Sequence, residues 1–274
     1  MKISIIGAGN VAWHLAHTLE EVGYKIEEIW SRDFKNAKKM AEEMYDATAK
    51  EELNFVDSEA KLFIIAVADD AIEEVVKQLV LPEDSIVVHT SGTKSLAEFE
   101  QWLNVYSDVK VKAGVLYPLQ TFTKNLKIDF EKQVPVCVEA EEPEIENLLI
   151  KIAQDLSETA YVVNSRERRT LHLAAVMACN FSNHLWAIAK EILEDDDLDF
   201  SMIKPLIKET VRKAMFTGEP TSVQTGPAKR GDYDTIEKHK IILKNKDEHT
   251  KKIYKELTES ILEKYGHSPK KQVN

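Results

Sequence analysis

The segment Gly7-Ala8-Gly9-Asn10-Val11-Ala12 has the spacing GxGxxA. It follows an apolar run, Ile3-Ser4-Ile5-Ile6, and opens a helical pattern that ends near Gly23. In that setting Gly7 allows a tight turn, Gly9 lets backbone approach a pyrophosphate, and Ala12 keeps the helix close to the strand. Free N–H groups at the helix start can then hold phosphate oxygens. GxGxxA alone is a weak signal. Its place between a strand pattern and a helix pattern makes Gly7, Ala8, Gly9, Asn10 and Val11 candidates for binding a dinucleotide.

The end of the second strand pattern selects among dinucleotides. Sites for NAD usually carry an acid about 20 residues past the glycines, bonded to the ribose 2′-hydroxyl. This chain has Trp30-Ser31-Arg32 there, with Glu27 and Glu28 inside the strand run. Ser31 and Arg32 can donate hydrogen bonds and charge to a 2′-phosphate that a carboxylate would repel, so NADP is the expected cofactor. The alternative is that Arg32 is a surface arginine at a strand end. Val67, Ala68 and Asp69 end the third long apolar run and are further cofactor-binding candidates, although Asp69 or Asp70 can equally cap the helix 71–79. His89-Thr90-Ser91-Gly92 ends the next. There Ser91 offers a hydroxyl at a turn and Gly92 permits close approach, while His89 reads as a partly buried strand-end residue.

His172 and Asn180 lie on a long helical pattern. Eight residues correspond to about 80° around an α-helix, so both can face one cleft. Histidine can donate a proton near neutral pH, and asparagine can hold a substrate oxygen or a carboxamide. Packing is the competing role, a helix–helix hydrogen bond amid Ala174, Ala175 and Ala178. Asn183 and His184 read as interface or structural residues. Thr225-Gly226-Pro227-Ala228-Lys229-Arg230-Gly231-Asp232 could bind an anionic substrate group, or be a plain loop in which Asp232 caps the next helix.

The elements that must position these residues fall into two halves. Residues 1–163 alternate short Ile- and Val-rich runs with helix-length segments, which predicts an α/β fold with a doubly wound sheet. Pro135 makes the last run, 134–138, an edge strand or a strand start. Residues 164–274 predict an all-α half: a helix over 165–193, a second from Asp199 to about Phe216, a Gly/Pro loop, a helix to about Lys244 and a last one over 246–265. The tail 267–274 is polar. The expected division is thus a dinucleotide-binding domain, 1–163, and a helical substrate and dimerisation domain, 164–274.

Composition narrows the classes. The 274 residues carry 47 acids against 36 bases, a net charge of −11. That argues against a nucleic-acid or anionic-membrane protein, and the lysine-rich stretch 238–255 reads as a solvated amphipathic helix. Two cysteines make no disulfide framework and no zinc spacing. No run approaches a membrane span or a signal segment, so a cytoplasmic protein is expected. Residues 1–163 hold 16 bases and 30 acids, a net of −14, while 164–274 hold 20 and 17, a net of +3. Global attraction therefore cannot bring a polyanionic cofactor to the first half, and local donors must.

Taken in order, the glycine turn, Ser31-Arg32, His89-Thr90-Ser91-Gly92, Pro118-Leu119-Gln120-Thr121-Phe122, the helix around His172 to Asn180, Thr225-Gly226-Pro227 and Arg230-Gly231-Asp232 resemble a family of Rossmann-like proteins. That family is described as deazaflavin-dependent NADP oxidoreductase-like. It lies near pyrroline-5-carboxylate reductase, prephenate dehydrogenase and the 3-hydroxyacid dehydrogenases. The resemblance implies a helical domain used for homodimerisation and an active site between domains, and makes His172 the counterpart of an acid/base on the matching helix of the hydroxyacid dehydrogenases. The expected reaction is hydride transfer between nicotinamide and a small carbonyl or imine compound, with His172 as proton donor and Ser91 or Asn180 polarising the acceptor. Relatives have histidine where this chain has Tyr117, which would have to hydrogen-bond in its place, or else that role is absent here. The rival expectation is a non-catalytic NADP-binding sensor or assembly protein.

Overall fold

The computed structural model describes residues 1–267; the rest of the polar tail, 268–274, lies outside the described residues. The chain divides into two compact units, Met1–Phe181 and Ser182–Asn274. The first holds β1 (Lys2–Ile6), α1 (Asn10–Glu21), β2 (Lys25–Trp30), α2 (Phe34–Glu42), β3 (Thr48–Lys50), β4 (Leu62–Ile65), α3 (Ile72–Gln78) and β5 (Ile86–His89). It continues with α4 (Leu96–Tyr106), β6 (Lys112–Pro118), α5 (Phe130–Gln133), β7 (Val136–Glu139), α6 (Pro143–Leu156), β8 (Ala160–Val162) and α7 (Ser165–Ala175).

The strands form one sheet in the order β3-β2-β1-β4-β5-β6-β7-β8. Apolar side chains alternate between its faces, as the two-residue strand period requires. In β4, Leu62 and Ile64 join one core with Ile3, Ile5, Leu15 and Leu149, while Phe63 and Ile65 join the other with Ile6, Phe55 and Phe99. Burial on both faces explains the near-continuous Ile/Val/Leu runs that make these strands legible. Strand order reverses between β1 and β4, so the turns after these two strands bound a crevice at the switch point.

Two details depart from the sequence reading, and a third chooses between two of its alternatives. Strands β3 and β8 are only three residues long, too short to show a periodic pattern. Strand β7 starts just after Pro135 and is internal, antiparallel to β6 and parallel to β8, so the proline marks a start and not an edge. Neither Asp69 nor Asp70 caps the following helix. A 3-10 turn, Asp69–Ala71, precedes α3 without a side-chain cap, and the Asp69 carboxylate instead accepts the Thr93 hydroxyl.

The predicted long helix is α7, a π-helical turn (Val176–Asn180) and α8 (Phe181–Glu194). The second unit adds α9 (Lys204–Thr217), α10 (Pro227–Arg230), α11 (Tyr233–Ile242) and α12 (Glu248–Lys264). Asp199, Asp232 and Asp247 accept backbone N–H groups at helix starts, and Gly218 ends α9 in the left-handed conformation. A small core gathers Ala228, Ile236 and Leu262. Neither α8 nor α9 has a fully buried residue, and Trp186, Leu206, Met215 and Phe216 are exposed. Among the described residues no helix is long and apolar enough to cross a membrane.

His89, fully buried at the end of β5, accepts the Ser91 N–H at Nδ1 (3.1 Å), leaves Nε2 without a partner and sets its ring edge-on to Phe99. Burial first, then the nearby charges of Arg168 and Lys94, pushes its pKa from 6.5 down to about 3. An unfolded chain takes up this proton below about pH 6.5, whereas the folded chain refuses it until about pH 3. The neutral imidazole thus contributes stability that is complete above the first value and is lost toward the second. Urea unfolding of His89→Asn between pH 7 and 4 should show a shallower acid decline than the parent; parallel declines would contradict this.

Candidate active site

The glycine turn sits at the switch point because β1 delivers it there. Gly7 has φ of +129°, and a Cβ would lie 2.2 Å from the Ala66 carbonyl oxygen, so only glycine fits between β1 and the turn after β4. Its N–H donates to the Trp30 carbonyl (2.7 Å), closing the turn against β2. At Gly9 a Cβ would meet nothing within 4 Å, which leaves an open approach to the backbone. Gly9 also caps α1 with no side-chain bond and no acid in the first turn. The N–H groups of that turn are therefore left to an incoming anion.

A cleft of about 570 Å³ opens from this turn, lined by Gly7 to Val11 together with Ser31, Arg32, Val67 and Ala68. Arg32 is exposed and has no carboxylate partner among the described residues. The nearby acids are engaged elsewhere: Glu28 accepts the hydroxyls of Ser4 (2.6 Å) and Ser58, and Asp33 caps α2 through the Lys35 N–H. An open lane at Gly9, an uncapped helix start and an unpaired guanidinium together fit a dinucleotide carrying an additional phosphate. Asp69, bonded to Thr93, is not among the lining residues.

A second cluster forms after β5. Ser91 is buried, and its Oγ accepts the N–H groups of Thr93 and Lys94, both at 3.0 Å, so this hydroxyl is committed to shaping its own loop. The Ser91 carbonyl accepts Nε of Arg168 (3.1 Å), a residue of α7 with no exposed surface. The same guanidinium pairs with Glu139 at the end of β7 and donates to the Lys94 carbonyl. Glu139 also accepts the N–H and hydroxyl of Ser165 at 2.9 and 2.8 Å. The start of α7 is thereby fixed to two strand ends.

His172 follows Arg168 by one helical turn. Its Nδ1 lies 3.0 Å from the Tyr117 hydroxyl, and a Cβ on Gly92 would come within 2.6 Å of the same atom. Burial pushes the Tyr117 hydroxyl up to about 12. It therefore stays protonated at neutral pH and can share a hydrogen bond with Nδ1, donating to a neutral ring or accepting from a protonated one.

The remaining candidates stand apart from this cluster. Asn180 ends the π-helical turn, is exposed, and shares no hydrogen bond with His172, Ser91 or Tyr117 among the described residues. The angle expected for an unbroken α-helix does not carry across that turn. Asn183 and His184 are exposed on α8. In the 225–232 segment, Arg230 ends α10 and Asp232 caps α11. Sequence reasoning passed over Arg168, whose available signal was its spacing one turn before His172. Removing half of such a pair strands the other charge in a poorly solvated place. Arg168→Ala is expected to lower the unfolding free energy by about 3–5 kcal/mol, and Arg168→Lys to recover only part because it lacks the planar fork. A loss for Arg168→Ala below about 1 kcal/mol in urea titration would contradict the role.

Two family models match separate parts of the chain. Residues 2–92 match the family described as NADP oxidoreductase, coenzyme F420-dependent, and residues 134–261 match a domain of unknown function, DUF2520. No curated protein matches the chain. A Bacteroides fragilis protein provisionally named an NADP oxidoreductase is 38% identical, with 96% of this chain and 98% of that chain covered and a TM-score of 0.86. Two distant structures share the fold. A reductive aminase from Aspergillus terreus, solved with NADPH and ethyl levulinate, is 11% identical with a TM-score of 0.72, covering 97% and 96% of the two chains. An imine reductase from Myxococcus stipitatus, solved with NADP⁺, is 14% identical with a TM-score of 0.66, covering 98% and 96%. The chain belongs to the NADP oxidoreductase family of the Bacteroides protein, in which a Rossmann-like module precedes a helical region.

Proposed function

We propose that this chain is an NADP-dependent oxidoreductase that reduces a small carbonyl or imine compound, or runs the reverse oxidation. The observation that carries the reading is the Tyr117–His172 hydrogen bond beside Gly92. It is an oriented proton donor in the same unit as a glycine turn open to phosphate. The distant structures that share the fold are reductases solved with NADPH or NADP⁺, which supports the cofactor and the reaction class.

When bound, the nicotinamide supplies the hydride. The chain's residues then have distinct tasks. The first turn of α1 holds the pyrophosphate, and Ser31 with Arg32 holds the 2′-phosphate. Tyr117 fixes the ring of His172, whose protonated form gives its Nε2 proton to the oxygen or nitrogen of the acceptor as charge grows there and is left as the neutral imidazole. Arg168 and Ser91 keep the Gly92 loop and α7 in register, a positioning task, and Asn180 is available to hold the substrate oxygen. Exposed apolar side chains on α8 and α9 support a homodimer built on the helical region.

Two experiments test this. Calorimetric titration should give NADPH the tighter binding, and Arg32→Ala should weaken NADPH by about tenfold or more, the range of a lost charge-assisted bond, while sparing NADH. An unchanged preference would remove Arg32 from the site. In NADPH oxidation assays over keto acids, ketones, imines and a deazaflavin, His172→Ala should lower kcat by about 10²- to 10⁴-fold with NADPH affinity intact. Tyr117→Phe should lower it less. Tight NADPH binding without turnover on any acceptor would instead support a non-catalytic sensor or assembly protein.

A further inference from the structure

The acidic first half binds a polyanion only through local donors, and one such donor lies outside every motif described above. Residues 122–124 form a strap fastened to the glycine turn and α1 at three points. The Asn10 side-chain amide donates to the Phe122 carbonyl (3.0 Å). Nε2 of His14, a buried residue, meets the Thr123 carbonyl at 3.0 Å, and its ring packs on Phe122 with centroids 4.9 Å apart. The Lys124 ammonium reaches the Ala8 carbonyl, inside the glycine motif, at 3.3 Å. Asn125 then turns the chain away with φ of +65°.

Lys124 is half-buried and has no carboxylate within ion-pair distance among the described residues, in a half of the chain where acids outnumber bases 30 to 16. One bond to Ala8 leaves two of its three N–H donors without a partner among the described residues. A half-buried cation held against a carbonyl and facing no carboxylate has donors and charge to offer an anion. The anion with reason to sit beside Ala8 is the one the open backbone at Gly9 receives.

We propose that Lys124 is a cofactor-binding residue that contacts the pyrophosphate of the dinucleotide, carried to the glycine turn by the 122–124 strap. This rests on the dinucleotide reading of the cleft and adds a division of labour to it. Arg32 answers to the 2′-phosphate, present only in NADP, and Lys124 to the pyrophosphate, common to NAD and NADP. Asn10 accordingly serves through its backbone N–H, since its side chain holds the strap.

The test is calorimetric titration of the full chain with NADPH, NADH and ADP-ribose, the last retaining the pyrophosphate without nicotinamide. Lys124→Gln should weaken all three by a similar factor, about tenfold, with an unchanged melting temperature. Lys124→Arg should retain most of the affinity, and added salt should narrow the gap between parent and Lys124→Gln. Equal affinities for parent and Lys124→Gln would overturn the proposal. So would equal losses in Lys124→Gln and Lys124→Arg with a lowered melting temperature, which would make Lys124 a structural tie. If the parent binds none of the three ligands, the dinucleotide reading fails first and the proposal with it.

Discussion

Burying an arginine completely is expensive, because its charge leaves water for a medium that solvates it poorly. Arg168 carries that cost at the start of α7 and offsets it with the carboxylate of Glu139 and the carbonyls of Ser91 and Lys94. The carboxylate lies at the end of β7, and both carbonyls lie in the one loop between β5 and α4. One side chain therefore ties α7 to two segments that the sequence keeps far from it and from each other. The planar fork of guanidinium makes the geometry specific in a way an ammonium would not. The position of His172 against Gly92 and Tyr117 depends on this lock, as does any proton transfer assigned to it.

The remainder of the site depends on where the sheet reverses its order. The turns after β1 and β4 meet there, and they are so close that Gly7 tolerates no side chain against Ala66. Crowding on one side and openness at Gly9 on the other are two results of one strand placement. Electrostatics adds a further constraint. Acidic groups near the cleft accept hydrogen bonds from serines, at a helix cap or from Thr93 but keep their charge, so a phosphate there must be drawn locally by helix N–H groups and a few cations. Lys124 and Arg32 stand at separate parts of that arrangement.

The parts of this molecule that follow from local pattern were legible in its sequence. Strands β1, β4 and β5 are buried on both faces and so appear as apolar runs, and the glycine turn keeps its motif spacing because backbone geometry demands it. Ser31 and Arg32 could be read from their place at a strand end. What could not be read depends on contacts between distant segments. Arg168 looks like one of three arginines near the start of a helix, and nothing local announces that it meets Glu139. Strands β3 and β8 are too short for a period. The π-helical turn, which alters the facing of Asn180 relative to His172, has no sequence signal of its own. Asp69 had the composition of a helix cap and was taken by Thr93 across the sheet's edge.

In the proposed reaction the Tyr117–His172 pair delivers the proton. A crystal structure of the protein with NADP⁺ and a ketone or imine would show this pair in place. The His172 ring should then lie within hydrogen-bond distance of the acceptor's oxygen or nitrogen, with nicotinamide C4 on the acceptor's carbon and the Tyr117 bond intact. A nicotinamide bound with its C4 remote from His172, or an acceptor protonated by another side chain, would contradict it.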